Sequence, residues 1–166
     1  MIFVTAGTTI FPFRRLEELV LELQSLYPNK EIIFQNSCVV TRSFPETVKV
    51  IDFAALTVFE SYIKKAEILI VHAGYATVMQ SLQHAFTKPI VMPRLRCYKE
   101  HVNDHQLYFA RFMQKQKLVT VIEKEDQIQS VLKKNIYNPL IVNRYLEKVD
   151  QRKEKLIREL ISKTTL

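Results

Sequence analysis

The sequence predicts an α/β fold, with one domain in which a parallel sheet is flanked by helices and a C-terminal amphipathic helix follows. Short β-rich apolar runs alternate along the chain with segments of helical period. The run from 68 to 72, ILIVH, is almost wholly apolar, as a strand buried on both faces should be. A length of 166 residues suits a single domain with a substantial core. Regular alternation of strands and helices implies a parallel sheet with right-handed crossovers.

The elements can be placed in order from their periodicity. The predicted strands are residues 2–5, 31–35, 48–51, 68–72, 89–92 and 118–121. The predicted helices are residues 13–26, 56–65, 75–84, 102–116 and 126–134. The first helix carries the clearest apolar face, formed by Leu16, Leu19, Val20, Leu23 and Leu26.

A second region, residues 138–166, is predicted to follow a domain of residues 1–137. Pro139 is suited to the first turn of a final helix. That helix has an apolar stripe opposed by basic residues, with Val142, Leu146, Val149, Leu156, Leu160 and Ile161 on one side and Arg144, Lys148, Arg152, Lys155 and Arg158 on the other. Such a helix most often packs on its own domain, and docking on a partner or a membrane is the alternative.

Composition limits the possible classes of protein. A net charge of +7 and a pI near 9.4 favour an anionic partner. Because no nucleic-acid motif or row of aromatic residues is evident, a membrane surface or an acidic protein is favoured over nucleic acid. No apolar run reaches the roughly 18 residues that span a bilayer, and the N-terminus has no signal-peptide pattern. Cys38 and Cys97 are too few for a disulfide framework, which favours a reduced, cytosolic protein.

Two glycines mark a candidate phosphate site. Gly7 and Gly74 are the only glycines in the chain, and each follows a short apolar strand. Glycine allows its backbone to approach a ligand closely, and a helix N-terminus behind it favours phosphate. A polar cluster about twenty residues after the segment 71–82, EHVNDHQ, completes the pattern of a sugar-nucleotide site. Because ligands bind at the carboxyl ends of parallel strands, the residues at these ends are expected to share one edge, namely Gly7, Gln35, Asp52, His72 and Pro93.

Four motifs, in their order along the chain, resemble the C-terminal, donor-binding domain of family 28 glycosyltransferases. They are MIFVTAGTTIFPF, HAGYATVMQSL, KPIVMPR and YKEHVNDHQLYFA. The resemblance runs from residue 1 to about residue 121. It includes the small stand-alone versions of the domain, such as the cytosolic subunit of the eukaryotic dolichol-linked N-acetylglucosaminyltransferase and bacterial capsule and exopolysaccharide subunits.

The resemblance implies one Rossmann-like half of a GT-B glycosyltransferase. A membrane-associated partner subunit would supply the N-terminal half and the general base. The implied reaction is inverting transfer of a hexosyl or N-acetylhexosaminyl group from a UDP-sugar to a lipid-linked acceptor in polysaccharide biosynthesis. No cofactor, metal or nucleic acid is implied, since GT-B enzymes hold the diphosphate with helix dipoles and backbone donors. The chain would lie in the cytoplasm, at the inner face of the membrane through its partner.

The resemblance also assigns roles to particular residues. The expected diphosphate-binding residues are Gly7, Thr8, His72, Ala73, Gly74 and Thr77. Gln80 lies where relatives bind the ribose, and the residues expected to read the donor sugar are Glu100, Asn103, Asp104, His105 and Gln106. His72 is given a binding or positioning role and not that of the base. Asp104 is also suited to cap the helix that follows, and a direct Asp104–His105 dyad is not expected because adjacent helix residues do not face each other.

Several positions depart from the pattern of the family or leave alternatives open. Ala76 stands where relatives have a second glycine, Gln80 where they have glutamate, and the QNS of residues 35–37 where they have Gln-X-Gly. These departures favour a second hypothesis, a non-catalytic subunit that activates a membrane-associated glycosyltransferase. A basic nucleic-acid-binding domain is a third and weaker one. Arg94 and Arg96 either neutralise phosphate or are simply solvated.

Overall fold

The computed structural model describes residues 1–38, 40–134, 147 and 150–151. Its strands are β1 (Ile2–Thr5), β2 (Ile32–Gln35), β3 (Val48–Ile51), β4 (Ile68–His72), β5 (Ile90–Met92) and β6 (Thr120–Val121). Its helices are α1 (Arg14–Leu26), α2 (Leu56–Lys65), α3 (Tyr75–His84), α4 (His105–Lys115) and α5 (Ile128–Lys134), with short 3-10 turns at Arg96–Tyr98 and Glu125–Gln127. The strands pair in parallel in the order β3-β2-β1-β4-β5-β6. The predicted Rossmann-like α/β fold is confirmed.

The sheet is buried on both faces because its strands alternate apolar side chains between two cores. In β1, Phe3 packs into one core cluster, and Ile2 and Val4 pack into the other. The same alternation occurs in β4, where Leu69 and Val71 face the side opposite to Ile70. Continuous apolar runs are what such a doubly covered parallel sheet requires.

The helices are divided between the two faces of the sheet. The core on one face receives buried side chains from α2, α3 and α4, among them Ile63, Val78 and Met113. The core on the other face receives Leu16, Leu19, Val20 and Leu23 of the predicted stripe of α1, together with Ile128 of α5. Leu26, the last residue of the predicted stripe, is exposed because it ends the helix. This division leaves the edge of the sheet where the strands end to be covered by loops.

The strand register brings the predicted strand-end residues to one edge. Thr5 of β1 is level with Gln35 of β2 and with Val71 of β4. His72 of β4 is level with Met92 of β5. The loops that follow β1, β4 and β5 therefore emerge together, and we call this side of the domain the carboxyl edge.

The predicted boundaries hold for most elements, and the largest difference is at α4. Helix α4 begins at His105, three residues after the predicted start at Val102. The preceding residues form a loop, in which Asp104 Oδ1 accepts a hydrogen bond from Arg96 N (2.8 Å). This loop is stabilised by a contact between residues eight positions apart, and the periodicity of apolar residues gives no information about such contacts.

The predicted C-terminal helix and the boundary at residue 137 lie outside the described residues, apart from Glu147, Asp150 and Gln151. Within the described part of the chain, no helix combines the length and the apolar character needed to cross a bilayer.

Candidate functional site

The imidazole of His72 lies between the two glycines of the chain at the carboxyl edge. A Cβ atom built on Gly7 would lie 2.5 Å from His72 Cε1, and one built on Gly74 would lie 2.2 Å from His72 Nε2. Neither distance leaves room for a methyl group. The two glycines that stood out in the sequence are therefore both in contact with one side chain, and we call these three residues the glycine–histidine cluster.

Gly7 adopts a conformation that favours glycine, with φ at 75°. Its N–H donates a hydrogen bond to Thr5 Oγ1 (3.2 Å), and the Thr5 hydroxyl donates to Gln35 Oε1. The ends of β1 and β2 are thereby linked next to His72. Thr8, the next predicted site residue, is exposed.

Helix α3 begins at the glycine–histidine cluster without a side-chain cap. Gly74 occupies the N-cap position, and its carbonyl accepts the first helical hydrogen bond, from Val78 N at 3.0 Å. Tyr75 and Ala76 of the first turn are exposed, and Thr77 is half-buried. The N–H groups of an uncapped first turn carry partial positive charge and can bind an anion.

Two other predicted residues of this segment have different surroundings. Ala73 is buried, and its methyl group packs into the core with α2 and α3. Gln80 is half-buried, and its Oε1 is buried with no hydrogen-bond partner among the described residues. A buried acceptor without a partner is costly.

Arg94 is fully buried and fastens the loops of the carboxyl edge together. Its guanidinium donates to Ala6 O (2.8 Å) and to Phe11 O (2.7 Å) in the loop after β1. It also donates to Glu100 O (3.3 Å) in the loop after β5 and lies 4.4 Å from the centre of the Phe13 ring. Of the two roles considered for Arg94, solvation is wrong, since the chain itself binds this guanidinium. Arg96 is exposed.

Glu100 and Gln106 turn their side-chain oxygens toward the protein. Glu100 forms a buried ion pair with Arg15, in which Arg15 Nε donates to Glu100 Oε1 at 3.0 Å. The other carboxylate oxygen, Glu100 Oε2, accepts a hydrogen bond from Leu95 N. Gln106 is buried, and its Oε1 accepts from Arg94 N at 3.1 Å. These contacts hold the loop after β5 in place, and the predicted contact of both residues with a donor sugar stays a prediction.

Asn103, Asp104 and His105 lie at the start of α4. Asp104 occupies the N-cap position but makes no side-chain capping bond, so the predicted cap is wrong, and its carboxylate instead binds Arg96 N. Asn103 Oδ1 accepts from His105 N (3.3 Å) and is also bonded to His105 Nδ1. As expected, His105 has a partner other than Asp104. Its ring also contacts that of His101, with 4.7 Å between centroids.

Burial and positive charge lower the pKa values of His72 and His101. Burial, together with the charge of Arg94, lowers the pKa of His72 to about 3, although the nearby backbone of Thr5 acts in the opposite direction. Burial, with the proximity of His105 and Arg94, also lowers the pKa of His101. Nδ1 of His72 is buried without a hydrogen-bond partner among the described residues. A neutral imidazole carries one N–H and can donate it to a phosphate oxygen.

Sequence reasoning missed the structural role of Arg15 and underestimated that of Arg94. Arg15 donates to Pro93 O (2.8 Å) as well as to Glu100, so it ties α1 to the loop after β5. Arg15 is 85 positions from Glu100, and no local pattern signals such a pair. Among the described residues, no group of three or more His, Cys, Asp or Glu is arranged to hold a metal ion.

The fold and the edge define a class of protein, an α/β domain with an uncapped helix start at the carboxyl edge of its sheet. Comparison with protein families places the chain more narrowly. Residues 1–161 match the model of the glycosyltransferase family 28 C-terminal domain, and the chain belongs to that family. No curated protein matches the chain. The suspected family is confirmed.

The contact between Gly74 and His72 predicts a coupled effect on stability. Gly74→Ala should lower the free energy of unfolding by about 1–3 kcal/mol, because the new methyl group overlaps the imidazole. In a His72→Ala background the same substitution should cost less than half as much. Urea denaturation of the four proteins of the cycle measures the difference.

Gly7→Ala is the control for this cycle. Its left-handed φ is unfavourable for alanine whatever the neighbour, so a cost of about 1–2 kcal/mol should remain in the His72→Ala background. An equal cost of Gly74→Ala in both backgrounds would show that the imidazole is not what excludes a larger residue.

Proposed function

We propose that this chain is the UDP-sugar-binding subunit of a two-component inverting glycosyltransferase that acts on a lipid-linked acceptor in polysaccharide or glycan biosynthesis. The observation that carries the proposal is the glycine–histidine cluster at the uncapped start of α3. Family membership supports glycosyl transfer as the class of reaction. The carboxyl edge of a parallel sheet is also where ligands bind in folds of this type.

The donor would bind with its diphosphate at the start of α3. The first-turn N–H groups behind Gly74 and the Thr77 hydroxyl would donate to the phosphate oxygens. His72 would add the N–H of its neutral imidazole, with Gly7 and Thr8 approaching from the loop after β1. The unpaired Oε1 of Gln80 would accept a hydrogen bond from a ribose hydroxyl.

The donor sugar would lie against the loop after β5 and the start of α4. Asn103 and His105 are exposed there and carry donors and acceptors for hydroxyl groups. Asp104 lies between them and holds Arg96 N, while Glu100 and Gln106 support the same loop from beneath. In this proposal the exposed polar side chains bind the sugar, and the buried hydrogen bonds hold those side chains in place.

Catalysis would come from stabilising the departing UDP. As the bond to the anomeric carbon breaks, negative charge grows on the diphosphate. Fixed hydrogen-bond donors therefore stabilise the transition state more than they stabilise the bound donor in its ground state. The donors assigned to this chain are the start of α3, Thr77 and His72, and the proposal requires no metal or other cofactor. The general base and the acceptor site are assigned to the partner subunit.

Exposed apolar side chains at the carboxyl edge support a covering partner. Ile10 is 86% exposed, Phe53 71% and Val102 64%, and they follow β1, β3 and β5 respectively. Large apolar side chains grouped at a ligand-binding edge are typical of an interaction surface. A membrane-associated subunit seated there would close the cleft, and the net charge of +7 suits a position at the inner, anionic face of a membrane.

A second candidate function is a non-catalytic subunit that activates or recruits a membrane-associated glycosyltransferase. It is favoured by Gln80, which replaces the charged acceptor of relatives with a neutral one, and by Ala76 in place of a second glycine. A neutral acceptor forms weaker hydrogen bonds than a carboxylate. In this case the fold and the partner surface would be retained without effective nucleotide binding.

Calorimetric titration with UDP tests the proposed function. We expect one UDP per chain, with an affinity that falls about tenfold or more in Thr77→Val, because a hydrogen bond to a charged phosphate is lost. Thr57→Val is the matched control, since Thr57 is exposed in the first turn of α2. Absence of UDP binding by the chain, both alone and with a partner that it activates, would favour the second candidate.

Gln80→Glu tests the ribose contact. A carboxylate accepts a stronger hydrogen bond than an amide, so the variant should bind UDP several-fold more tightly at neutral pH. Without UDP it should be less stable than the parent, because a partly buried charge has no partner. Gln83→Glu adds the same charge at an exposed position of the same helix and should change neither property. Unchanged or weaker UDP affinity in Gln80→Glu would remove Gln80 from the site.

A further inference from the structure

A cavity opens at the carboxyl edge between the loop after β1 and the loop after β5. It has a volume of about 490 Å³ and is lined by Pro12, Arg14, Arg15, Tyr98, Lys99 and Glu100. One wall comes from the loop after β1 and the first turn of α1, and the other from the loop after β5. Arg94 fastens these same two loops together, so the walls of the cavity are held at a fixed separation.

The floor of the cavity is a buried ion pair that is already satisfied. Arg15 and Glu100 are both buried and bind each other, and Arg15 also donates to Pro93 O. The guanidinium of Arg15 lies 4.6 Å from the centre of the Tyr98 ring, which fixes the ring at the wall. These contacts make the base of the cavity rigid and leave its two charges balanced.

The remaining charges of the cavity are positive and unpaired. Arg14 and Lys99 are exposed at its rim, and neither side chain takes part in a hydrogen bond or ion pair within the described residues. Lys99 is held in a left-handed conformation, with φ at 58°, by the turn that ends the preceding 3-10 helix. Two cations on opposite walls of a confined space raise the local potential and favour a compact anion.

We propose that this cavity binds a diphosphate group that is distinct from the diphosphate of the sugar donor. Arg14 and Lys99 would each pair with one phosphate, and a volume of about 490 Å³ holds a diphosphate with part of the group attached to it. Tyr98 and Pro12 offer apolar surface to that attached group. The expected source is the lipid-linked acceptor, whose reacting end would lie in the partner subunit while its diphosphate reaches this cavity. This assignment rests on the proposed function, and a soluble diphosphate is the other source of the same chemistry.

The test is calorimetric titration of the full chain with inorganic pyrophosphate, at fixed ionic strength and with UDP at saturation. UDP fills the proposed donor site, so the pyrophosphate measured is bound elsewhere. We expect one equivalent to bind, and Arg14→Gln/Lys99→Gln to weaken this binding tenfold or more while UDP affinity changes less than twofold. Both side chains are exposed, so the variant should melt at the same temperature as the parent.

The matched control removes two positive charges from the last turn of α2. Lys64→Gln/Lys65→Gln, at exposed positions, should change pyrophosphate affinity less than twofold. The inference is wrong if the UDP-saturated chain binds no pyrophosphate, or if the control pair weakens binding as much as the Arg14 and Lys99 pair does. If UDP itself does not bind, the titration is run without it. A loss confined to the Arg14 and Lys99 pair would then support this site although the proposed donor function had failed.

Farnesyl diphosphate distinguishes the two sources of the diphosphate, at concentrations below its aggregation limit. Affinity at least threefold higher than that of pyrophosphate, with the excess lost in Tyr98→Ser, supports a lipid-linked ligand. Equal affinities would support the anion site and overturn its assignment to the acceptor, in favour of a soluble diphosphate.

Discussion

The buried guanidinium of Arg94 is the interaction on which the carboxyl edge depends. A buried positive charge is tolerated only when the chain supplies acceptors, and here they are the carbonyls of Ala6, Phe11 and Glu100. These carbonyls belong to the loops after β1 and β5, so one guanidinium links both loops. Burial lowers the pKa of Arg94, while the carboxylate of Glu100 opposes that change. The cost of burying the charge is thus offset by a fixed arrangement of both loops.

Burial and, after it, the charge of Arg94 keep the imidazole of the glycine–histidine cluster neutral. A cation close to His72 makes a second positive charge unfavourable, and burial acts in the same direction, so the imidazole stays neutral well below physiological pH. Its folded-state pKa lies below the unfolded value, so the stability that His72 contributes is present above about pH 6.5 and is lost as the pH falls toward 3. A neutral, enclosed imidazole is suited to positioning and hydrogen bonding. It is not suited to holding a proton in a charged form.

Much of the fold could be predicted from the sequence, because local patterns determine it. The continuous apolar run of β4 predicts a strand buried on both faces of the sheet, and the apolar stripe of α1 predicts a helix buried on one side. Both elements lie where the sequence predicts them. The two glycines could be found because the chain has no others, and their common neighbour follows from the parallel register of β1 and β4. The start of α4 and the pairing of Arg15 with Glu100 could not be predicted, since both depend on loops brought together only by the folded sheet. For the same reason Arg94 could not be distinguished from a solvated arginine.

The central claim is that His72 is a neutral imidazole held between two glycines, where it contacts the diphosphate of a bound nucleotide. The most direct test is to record the imidazole ¹⁵N chemical shifts of His72 by NMR, first across a pH series and then during addition of UDP. We expect the shifts of a neutral ring from pH 8 to pH 5, consistent with a pKa of about 3, and a change of these shifts that saturates with UDP. His84, half-buried at the end of α3, should not respond to UDP and serves as the internal control. Titration of His72 near pH 6.5, or imidazole shifts that stay constant while UDP binds, would contradict the claim.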